Sequence, residues 1–583
     1  MDNKSIATIF NQTADLMEIN GEDSFRIRSY RRAAESLEGH PERAVDLAGD
    51  VKRLLEIPGI GKGMATNIQE LAQTGKLKVH QELLQKFHPS ILELIRIQGL
   101  GPKTIALIWS AFQVSDLDGV VKLAQEGKLR TLPRMSEKSE QKLIKAIEDY
   151  RRISGRFVID DADRTAEHIK AQLKHVKGID AITPAGSLRR GRETVGDLDL
   201  LITGPVCVDD TKRAALIEDI VKFPEIDQVL AKGDNKVSFK LRNGLQVDVR
   251  ALSPDSYGAG LQYFTGSKNH SVALRQRALK MGLTLNEYGL CRVQDNQCVA
   301  GKTEEDIYGK LKLDWIPPEL RENTGEIEAA ANHALPDLIT LTDLRGEVHM
   351  HTVETDGKNT IEEMAEAAKL RGYKYIAITD HTKNLAMANG LDDKRAVQHI
   401  ARIHAANESI HGITVMSGVE VDILADGSLD LSDSVLEQMD VVVASVHSHF
   451  NQEKAQMTDR LLAAISNPNV SILGHPTGRL QLRREAYDFD FEALLKLARD
   501  KQVAMELNAY PDRLDLNDVH LRLARDRGVK IVINTDAHHT SHFEKIKYGI
   551  LQARRAWLTA KDVLNTLSEK EFRRAMKHQW PTN

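Results

Sequence analysis

Gly186-Ser187 stands ten residues ahead of Asp197-Leu198-Asp199, and a further aspartate, Asp248, lies in Gln246-Val-Asp-Val-Arg250. The Asp-x-Asp pair opens an apolar run (Leu198, Leu200, Leu201, Ile202) that reads as a buried strand. Alternation puts Asp197 and Asp199 on one face of it. Asp248 sits in a second strand-like segment, 245–252, and can join them if the strands are neighbours. Three hard oxygen ligands suit Mg²⁺ or Mn²⁺. Two such ions ~4 Å apart would clamp the attacking and leaving oxygens of a phosphoryl transfer. The Gly186-Ser187 turn with Arg189, Arg190 and Arg192 supplies donors for a triphosphate. An isolated Asp-x-Asp is more often an exposed strand edge. The Gly-Ser lead, the arginines and the third aspartate together favour nucleotidyl transfer.

A second set of ligand types follows residue 340. Fourteen of the 21 histidines lie there, which marks the C-terminal part as a different machine. Glu347-Val-His349-Met-His351 places two imidazoles on one face of a strand. Asp356, His381, Glu420, His447 (with His449 as alternate), His475, Asp536 and His538 close successive apolar runs. In a parallel β/α barrel the C-terminal strand ends converge on one mouth. Six histidines and three carboxylates there can fill two or three metal sites, with imidazole favouring Zn²⁺, Mn²⁺ or iron over Mg²⁺ alone. A single histidine is more often structural, but nine ligand types at successive strand ends are hard to attribute to packing.

The elements that must position these residues are legible in outline. The chain has 583 residues, enough for three or four domains. Strand-like runs alternate with amphipathic helices through 341–583, the rhythm of a parallel barrel or doubly wound sheet. Residues 317–340, rich in Pro and Ala, read as a connecting segment. From Ile6 to Lys145 the pattern is helical with Gly/Pro breaks. Two of these breaks, about 40 residues apart, put apolar-Gly-apolar-Gly between helices: Ile57-Pro-Gly59-Ile-Gly61-Lys62 and Ile97-Gln-Gly99-Leu-Gly101-Pro-Lys103. They resemble helix-hairpin-helix motifs, in which backbone N–H groups at the start of the second helix meet a DNA phosphate without reading sequence. Glycine ends many helices for capping alone, but two copies, each with a lysine, favour DNA binding.

With a net charge of −5, contact with DNA must come from local patches. The three cysteines (Cys207, Cys291, Cys298) form no CxxC pair, so neither a thiolate zinc site nor a disulfide framework is expected. No apolar stretch approaches a membrane span, and the polar opening residues do not read as a signal peptide. Together these predict a cytoplasmic, nucleoid-associated protein.

The Gly-Ser, Asp-x-Asp and third-Asp pattern closely resembles the family X DNA polymerases, the group containing DNA polymerase beta. Tyr263-Phe264-Thr265-Gly266-Ser267 is similar to that family's turn beside the incoming sugar, and Asn286-Glu287-Tyr288 to its template-facing segment. The resemblance implies that Asp197, Asp199 and Asp248 bind two Mg²⁺ or Mn²⁺ ions, with Asp248 assisting the primer 3′-hydroxyl. It implies nucleotide contacts from Gly186, Ser187, Arg190, Gly196, Tyr263, Phe264 and Gly266, while Arg275 approaches the template. Gln246 stands where polymerase beta has an arginine, Ser271 where it has an asparagine, and Lys268 where it has an acidic residue. Arg26, in the Arg-rich segment 25–32, is the nearest counterpart of a 5′-phosphate ligand. Asn67 falls where that family's lyase lysine stands, so deoxyribose-phosphate lyase activity is expected to be weak or absent.

The nine ligand positions after residue 340 resemble the PHP (polymerase and histidinol phosphatase) domain, a distorted seven-stranded α/β barrel with a trinuclear phosphoesterase centre holding Zn²⁺ or Mn²⁺. The implied architecture is multidomain, α+β and α/β: a helical DNA-binding domain at 1–85, a second helical domain at 86–150, a nucleotidyltransferase palm at 151–252, a nascent-base-pair subdomain at 253–316, a linker at 317–340 and the PHP domain at 341–583. The implied enzyme is a DNA-directed DNA polymerase that fills short gaps in base-excision-like repair. Its substrates are gapped or nicked DNA, especially 5′-phosphorylated gaps, and dNTPs; it is expected to be a monomer with no membrane partner. A PHP 3′–5′ exonuclease, 3′-end-processing or abasic endonuclease activity accompanies it. The alternatives are a repair nuclease whose polymerase half only binds DNA, a scaffold at gaps, and a phosphatase of small esters.

Overall fold

The structure, a computed structural model, describes residues 1, 3–38, 43–88, 90–97, 99–133, 135–153 and 155–581. The chain divides into two compact units, Met1–Ser154 and Gly155–Asn583.

The first unit is helical, and one apolar core runs through it from Ile6 to Ile147, across the boundary expected near residue 85. Helices Asn3–Ile19 and Ser24–Glu38 pack through Phe10 and Tyr30, whose rings meet edge-on with centroids 5.4 Å apart. Both glycine breaks are tight turns feeding a helix. Gly59 (φ +81°) and Gly99 (φ +91°) take the left-handed conformation that only glycine adopts without strain. Two residues later Gly61 and Gly101 are the extended N-caps of helices Lys62–Thr74 and Pro102–Phe112. Gln98 of the second motif lies outside the described residues.

In the second unit a five-stranded sheet is ordered Ala181–Pro184, Asp197–Thr203, Gln246–Leu252, Lys236–Leu241, Ile226–Lys232. The second and third strands in that order are parallel and the other pairs antiparallel. A three-stranded antiparallel sheet, Leu283–Asn286, Gly289–Arg292 and Cys298–Ala300, follows. Here the cysteine expectation is corrected: Cys291 and Cys298 are cross-strand partners and form a disulfide. A spacing of seven carries no signal of its own; the hairpin brings the two sulfurs together. Residues 317–340 also differ from a plain connector. They contain the helix Glu326–Ala331 and the fully buried Arg321, whose guanidinium pairs with the buried Glu304. Its charged residues find partners elsewhere in the chain: Glu322 with Arg190, Glu326 with His270 and Glu319 with Arg554.

Seven parallel strands then run in sequence order from Gly346–Glu347 to Ile531–Asn534. From Tyr375–Ile378 to Ile531–Asn534 they are buried nearly throughout, as both faces are covered. Tyr375, Ala377, Val441, Val443 and Val532 form an inner cluster with Phe572 and Met576 of the C-terminal helix Glu569–Met576. Their neighbours Ile376, Ile378, Val442, Ala444 and Ile533 pack outward in a core with the surrounding helices. A bridge between Met350 and Ala537, just past the first and last strands, closes the C-terminal mouth.

Candidate active sites: a carboxylate trio and a histidine-lined barrel mouth

The parallel pairing sets Asp199 opposite Asp248 and Asp197 opposite Gln246. Neighbouring strands lie ~4.8 Å apart, so the trio gathers on one face of the sheet. Asp248 is buried and both its oxygens are engaged: Ser238 Oγ donates to Oδ1, Lys236 Nζ stands 3.3 Å from Oδ1, and Gln246 Nε2 donates to Oδ2 at 3.0 Å. Burial opposes ionisation of Asp248, but these donors hold its carboxyl below the usual range. At Asp199 burial, then the charges of Asp197 and Asp248, outweigh those of Arg250 and Arg190 and push the carboxyl up to about 7. Three convergent carboxylates of which one resists ionisation fit the donor set of a divalent cation.

Gly186 (φ +57°) opens the short helix Gly186–Arg189, and a Cβ there would collide with Oδ2 of Asp199. The Ser187 hydroxyl is buried without a hydrogen-bond partner among the described residues, a donor free for an anion. Arg190 is held through Nε to Glu322 at 2.9 Å and through Nη1 to the Thr265 carbonyl at 2.8 Å. Gly196 leads directly into the Asp197 strand, and Arg192 is exposed. Arg189 corrects the sequence reading. Its guanidinium is taken by Glu304, at 2.9 and 2.8 Å, and by Thr265 Oγ1 at 2.8 Å. Burial works against the Glu304 anion, yet Arg321 and Arg189 hold it at about 2, so Arg189 has no fork left for a triphosphate.

Tyr263 and Phe264 end the helix Tyr257–Thr265, with ring centroids 5.0 Å apart and Arg250 4.2 Å over Phe264. Gly266 is that helix's C-cap. Arg275 projects from the exposed side of helix Lys268–Lys280, and Asn286 stabilises the hairpin that presents the exposed Tyr288. In the helical unit Lys62 and Lys103 are exposed in the first turns of their helices. Arg26 is exposed and paired with Glu22 at 2.8 Å. Asn67 donates to the Tyr30 hydroxyl at 2.8 Å.

All nine residues expected at the barrel mouth come together. Glu420, in strand Thr414–Asp422, is central: its carboxylate lies 2.9 Å from His381, 3.0 Å from His475, 3.3 Å from His447 and 3.4 Å from His349. Asp536 lies 3.0 Å from His351, and Asp356 lies 3.4 Å from His538. Three overlapping groups have ligand atoms close enough to share an ion: His351/Asp356/His381/His538, His349/His351/Asp536 and His381/Glu420/His447. His475 approaches through Glu420. His449, the alternate to His447, is exposed and belongs to none of the groups.

Burial disfavours charge throughout the mouth, but the carboxylates overcome it at selected imidazoles. Glu420 and Asp422 hold His447 at about 9, and Asp356 and Asp536 hold His538 at about 9. His351 and His475 are instead driven down to about 4, by burial and neighbouring cations. The buried Nδ1 atoms of His351 and His475 have no hydrogen-bond partner among the described residues. A metal ion would take the place of the imidazole protons that the carboxylates accept, and imidazoles with carboxylates are a donor set that fits Zn²⁺ or Mn²⁺.

Supporting residues escaped the sequence reading. Glu506 accepts from His349 Nδ1 at 2.7 Å, Asp422 accepts from His447 Nδ1, and Asp380 bonds Thr352 and His399. Asp422 carried a signal, two residues after Glu420 on the same strand face. Glu506, in the middle of strand Ala504–Asn508, carried no signal of its own. Among the described residues no helix is long and apolar enough to cross a membrane.

Known families match in the order of the folded parts: a helix-hairpin-helix domain over 1–77, a SAM-like helix-hairpin-helix tandem over 91–149, the DNA polymerase beta palm over 158–236, the DNA polymerase beta thumb over 260–322 and the PHP domain over 347–510. The DNA polymerase/3′-5′ exonuclease PolX of Bacillus subtilis (strain 168) is 37% identical over 579 residues, covering 99% of this chain and all of the relative (100%). A probable phosphatase of Thermoanaerobacter sp. (strain X514) is 28% identical over 231 residues, 38% of this chain and 89% of its own. A solved polymerase beta of Leishmania infantum, in a ternary P/T complex, covers 40% of this chain and 99% of its own at 20% identity, with a TM-score of 0.27. The full-length match and the shared order of palm, thumb and PHP domain establish that the chain belongs to the bacterial family X DNA polymerases that carry a PHP domain.

Proposed function

We propose that this chain fills short gaps in DNA during base-excision-like repair and processes 3′ ends by hydrolysis, as a DNA-directed DNA polymerase and 3′–5′ exonuclease. The observation that carries the polymerase reading is the register of Asp199 against Asp248, with Asp197 on the same face. Asp197, Asp199 and Asp248 would hold two Mg²⁺ or Mn²⁺ ions, which when bound stabilise the charge of an in-line displacement. Asp248 receives the proton of the primer 3′-hydroxyl, the 3′-oxygen attacks the α-phosphorus of a dNTP, and pyrophosphate leaves. Ser187 and Arg190 orient the triphosphate, with Tyr263, Phe264 and Gly266 beside the sugar and Arg275 near the template.

At the barrel mouth the nine histidines and carboxylates would hold two or three Zn²⁺ or Mn²⁺ ions, and water opens the terminal phosphodiester. Lys62 and Lys103 with the N–H groups after Gly61 and Gly101 grip the phosphates of gapped or nicked DNA, and Arg26 meets a 5′-phosphate. The chain works as a soluble monomer at the nucleoid. Asp248 also favours a second reading, because both its oxygens are already engaged. A site so occupied would serve only to bind DNA while the barrel hydrolyses it.

A 5′-phosphorylated one-nucleotide gap with Mn²⁺, with and without dNTPs, separates the readings. Asp197→Ala should abolish extension and spare degradation, and His349→Ala should do the reverse. Absence of extension by the parent chain would leave the nuclease reading standing. Chelation that spared the nuclease would remove the barrel assignment.

A further inference from the structure

The loop carrying Ser187 and Arg190 is braced from the PHP half of the chain. Helix Ile546–Arg555 ends against it. Arg555, whose side chain is 2% exposed, donates through Nη1 to the Arg190 carbonyl at 2.9 Å and to Glu322 Oε1 at 3.0 Å. Its Nε and Nη2 are fixed by Asp518 at 3.0 and 2.6 Å. The same Glu322 oxygen accepts from Arg190 Nε at 2.9 Å. One turn earlier the buried Gln552 donates to the Gly191 carbonyl at 3.1 Å, and a Cβ on Gly191 (φ +67°) would stand 2.9 Å from Leu551 Cβ. Arg555 on this helix thus meets the Arg190 carbonyl directly and shares Glu322 with the Arg190 guanidinium.

We propose that Arg555 is a positioning residue for nucleotide addition, fixing Arg190 from the PHP domain in the orientation that meets the triphosphate. This rests on the reading of Arg190 as a triphosphate ligand. A guanidinium held in one plane before the nucleotide arrives loses less freedom on binding. Without Arg555, Glu322 answers to Arg190 alone and the Arg190 carbonyl loses its donor. The loss then falls on nucleotide affinity and leaves the bond-making step intact. The fused hydrolase is, on this reading, part of the scaffold of the polymerase site.

The test is steady-state addition to a 5′-phosphorylated one-nucleotide gap by full-length Arg555→Gln, Gln552→Leu and Arg190→Ala, beside degradation of a single-stranded oligonucleotide by the same preparations. Arg555→Gln should raise KM for dNTP about tenfold, the worth of one hydrogen bond to a charged group, with kcat within about twofold. Gln552→Leu disturbs no ion pair and should raise KM by about threefold to fivefold, the worth of one neutral hydrogen bond. Degradation should stay at the parent rate in both. The proposal is overturned if Arg190→Ala raises KM while Arg555→Gln and Gln552→Leu do not. A proportional loss of addition and degradation in Arg555→Gln and Gln552→Leu would make Arg555 a folding residue and also overturn it. An unchanged KM in Arg190→Ala removes the triphosphate assignment itself.

Discussion

Gln246 Nε2 donates to Oδ2 of Asp248 at 3.0 Å, from the strand position that faces Asp197 in register. A residue that departs from the polymerase beta pattern therefore touches the carboxylate assigned to the primer hydroxyl. A hydrogen bond to a charged group contributes about 1.5–3 kcal/mol. Gln246→Ala should accordingly lower kcat for nucleotide addition about tenfold, with KM for dNTP within about twofold. Single-turnover kinetics reads this directly. An unchanged rate would mean that Ser238 and Lys236 hold Asp248 without help.

Asp199 gives the polymerase site a pH dependence whose sign is set. Its folded value of about 7 lies above the ordinary carboxylate range because of burial and then the charges of Asp197 and Asp248. In the metal-free protein this group favours the fold at low pH, and that contribution is lost as pH rises from about 4 through about 7. A divalent cation needs the ionised form and must displace the proton below that range. The Mg²⁺ concentration giving half-maximal nucleotide addition should therefore fall between pH 6 and 8, while the rate at saturating Mg²⁺ changes less. Equal Mg²⁺ requirements at both pH values would show that Asp199 is already ionised in the working enzyme.

Gly186 couples the nucleotide loop to the trio sterically. Its φ of +57° and the collision of a Cβ with Asp199 leave alanine two penalties, about 1 kcal/mol for the left-handed backbone and more for the displaced carboxylate. Gly186→Ala should cut nucleotide addition at least about a hundredfold, since a misplacement of about 1 Å at a reacting centre costs that much. Oligonucleotide degradation should be retained. Parallel loss of both activities would instead mark Gly186 as a folding residue.

The parts of these sites that the sequence made legible are those set by local periodicity. Asp197 and Asp199 share a face because a strand repeats every two residues. The barrel ligands follow apolar runs because parallel strands end at a common mouth. What escaped depends on partners far along the chain. Arg189 looked like a phosphate ligand because nothing near it hints at Glu304, 115 residues away. Arg321 lies in a stretch whose composition reads as a connector, and its partner Glu304 stands 17 residues back. Cys291 and Cys298 pair only because a hairpin brings them into register. Glu506 gave no signal and Asp422 a weak one, because a carboxylate supporting a histidine has no spacing of its own.

Glu506 is the most consequential of those omissions. It is fully buried, accepts from His349 Nδ1 at 2.7 Å and from the His475 backbone N–H at 2.7 Å, and also accepts from Asn534. It therefore fixes which nitrogen of His349 faces the barrel mouth and ties two ligand-bearing strand ends together. A carboxylate behind a ligating histidine orients the ring and raises its basicity, and losing it typically weakens metal binding about 10–100-fold. Glu506→Gln keeps the shape but removes the charge and turns one of its two accepting oxygens into a donor. It should demand about tenfold more Mn²⁺ for half-maximal oligonucleotide degradation, with near-parent rates at saturating metal. Nucleotide addition, assigned to the carboxylates of the other sheet, should be unaffected. Metal titrations of the two activities on one preparation check both halves, and an unchanged Mn²⁺ requirement would mean that the His349 orientation is held by packing alone.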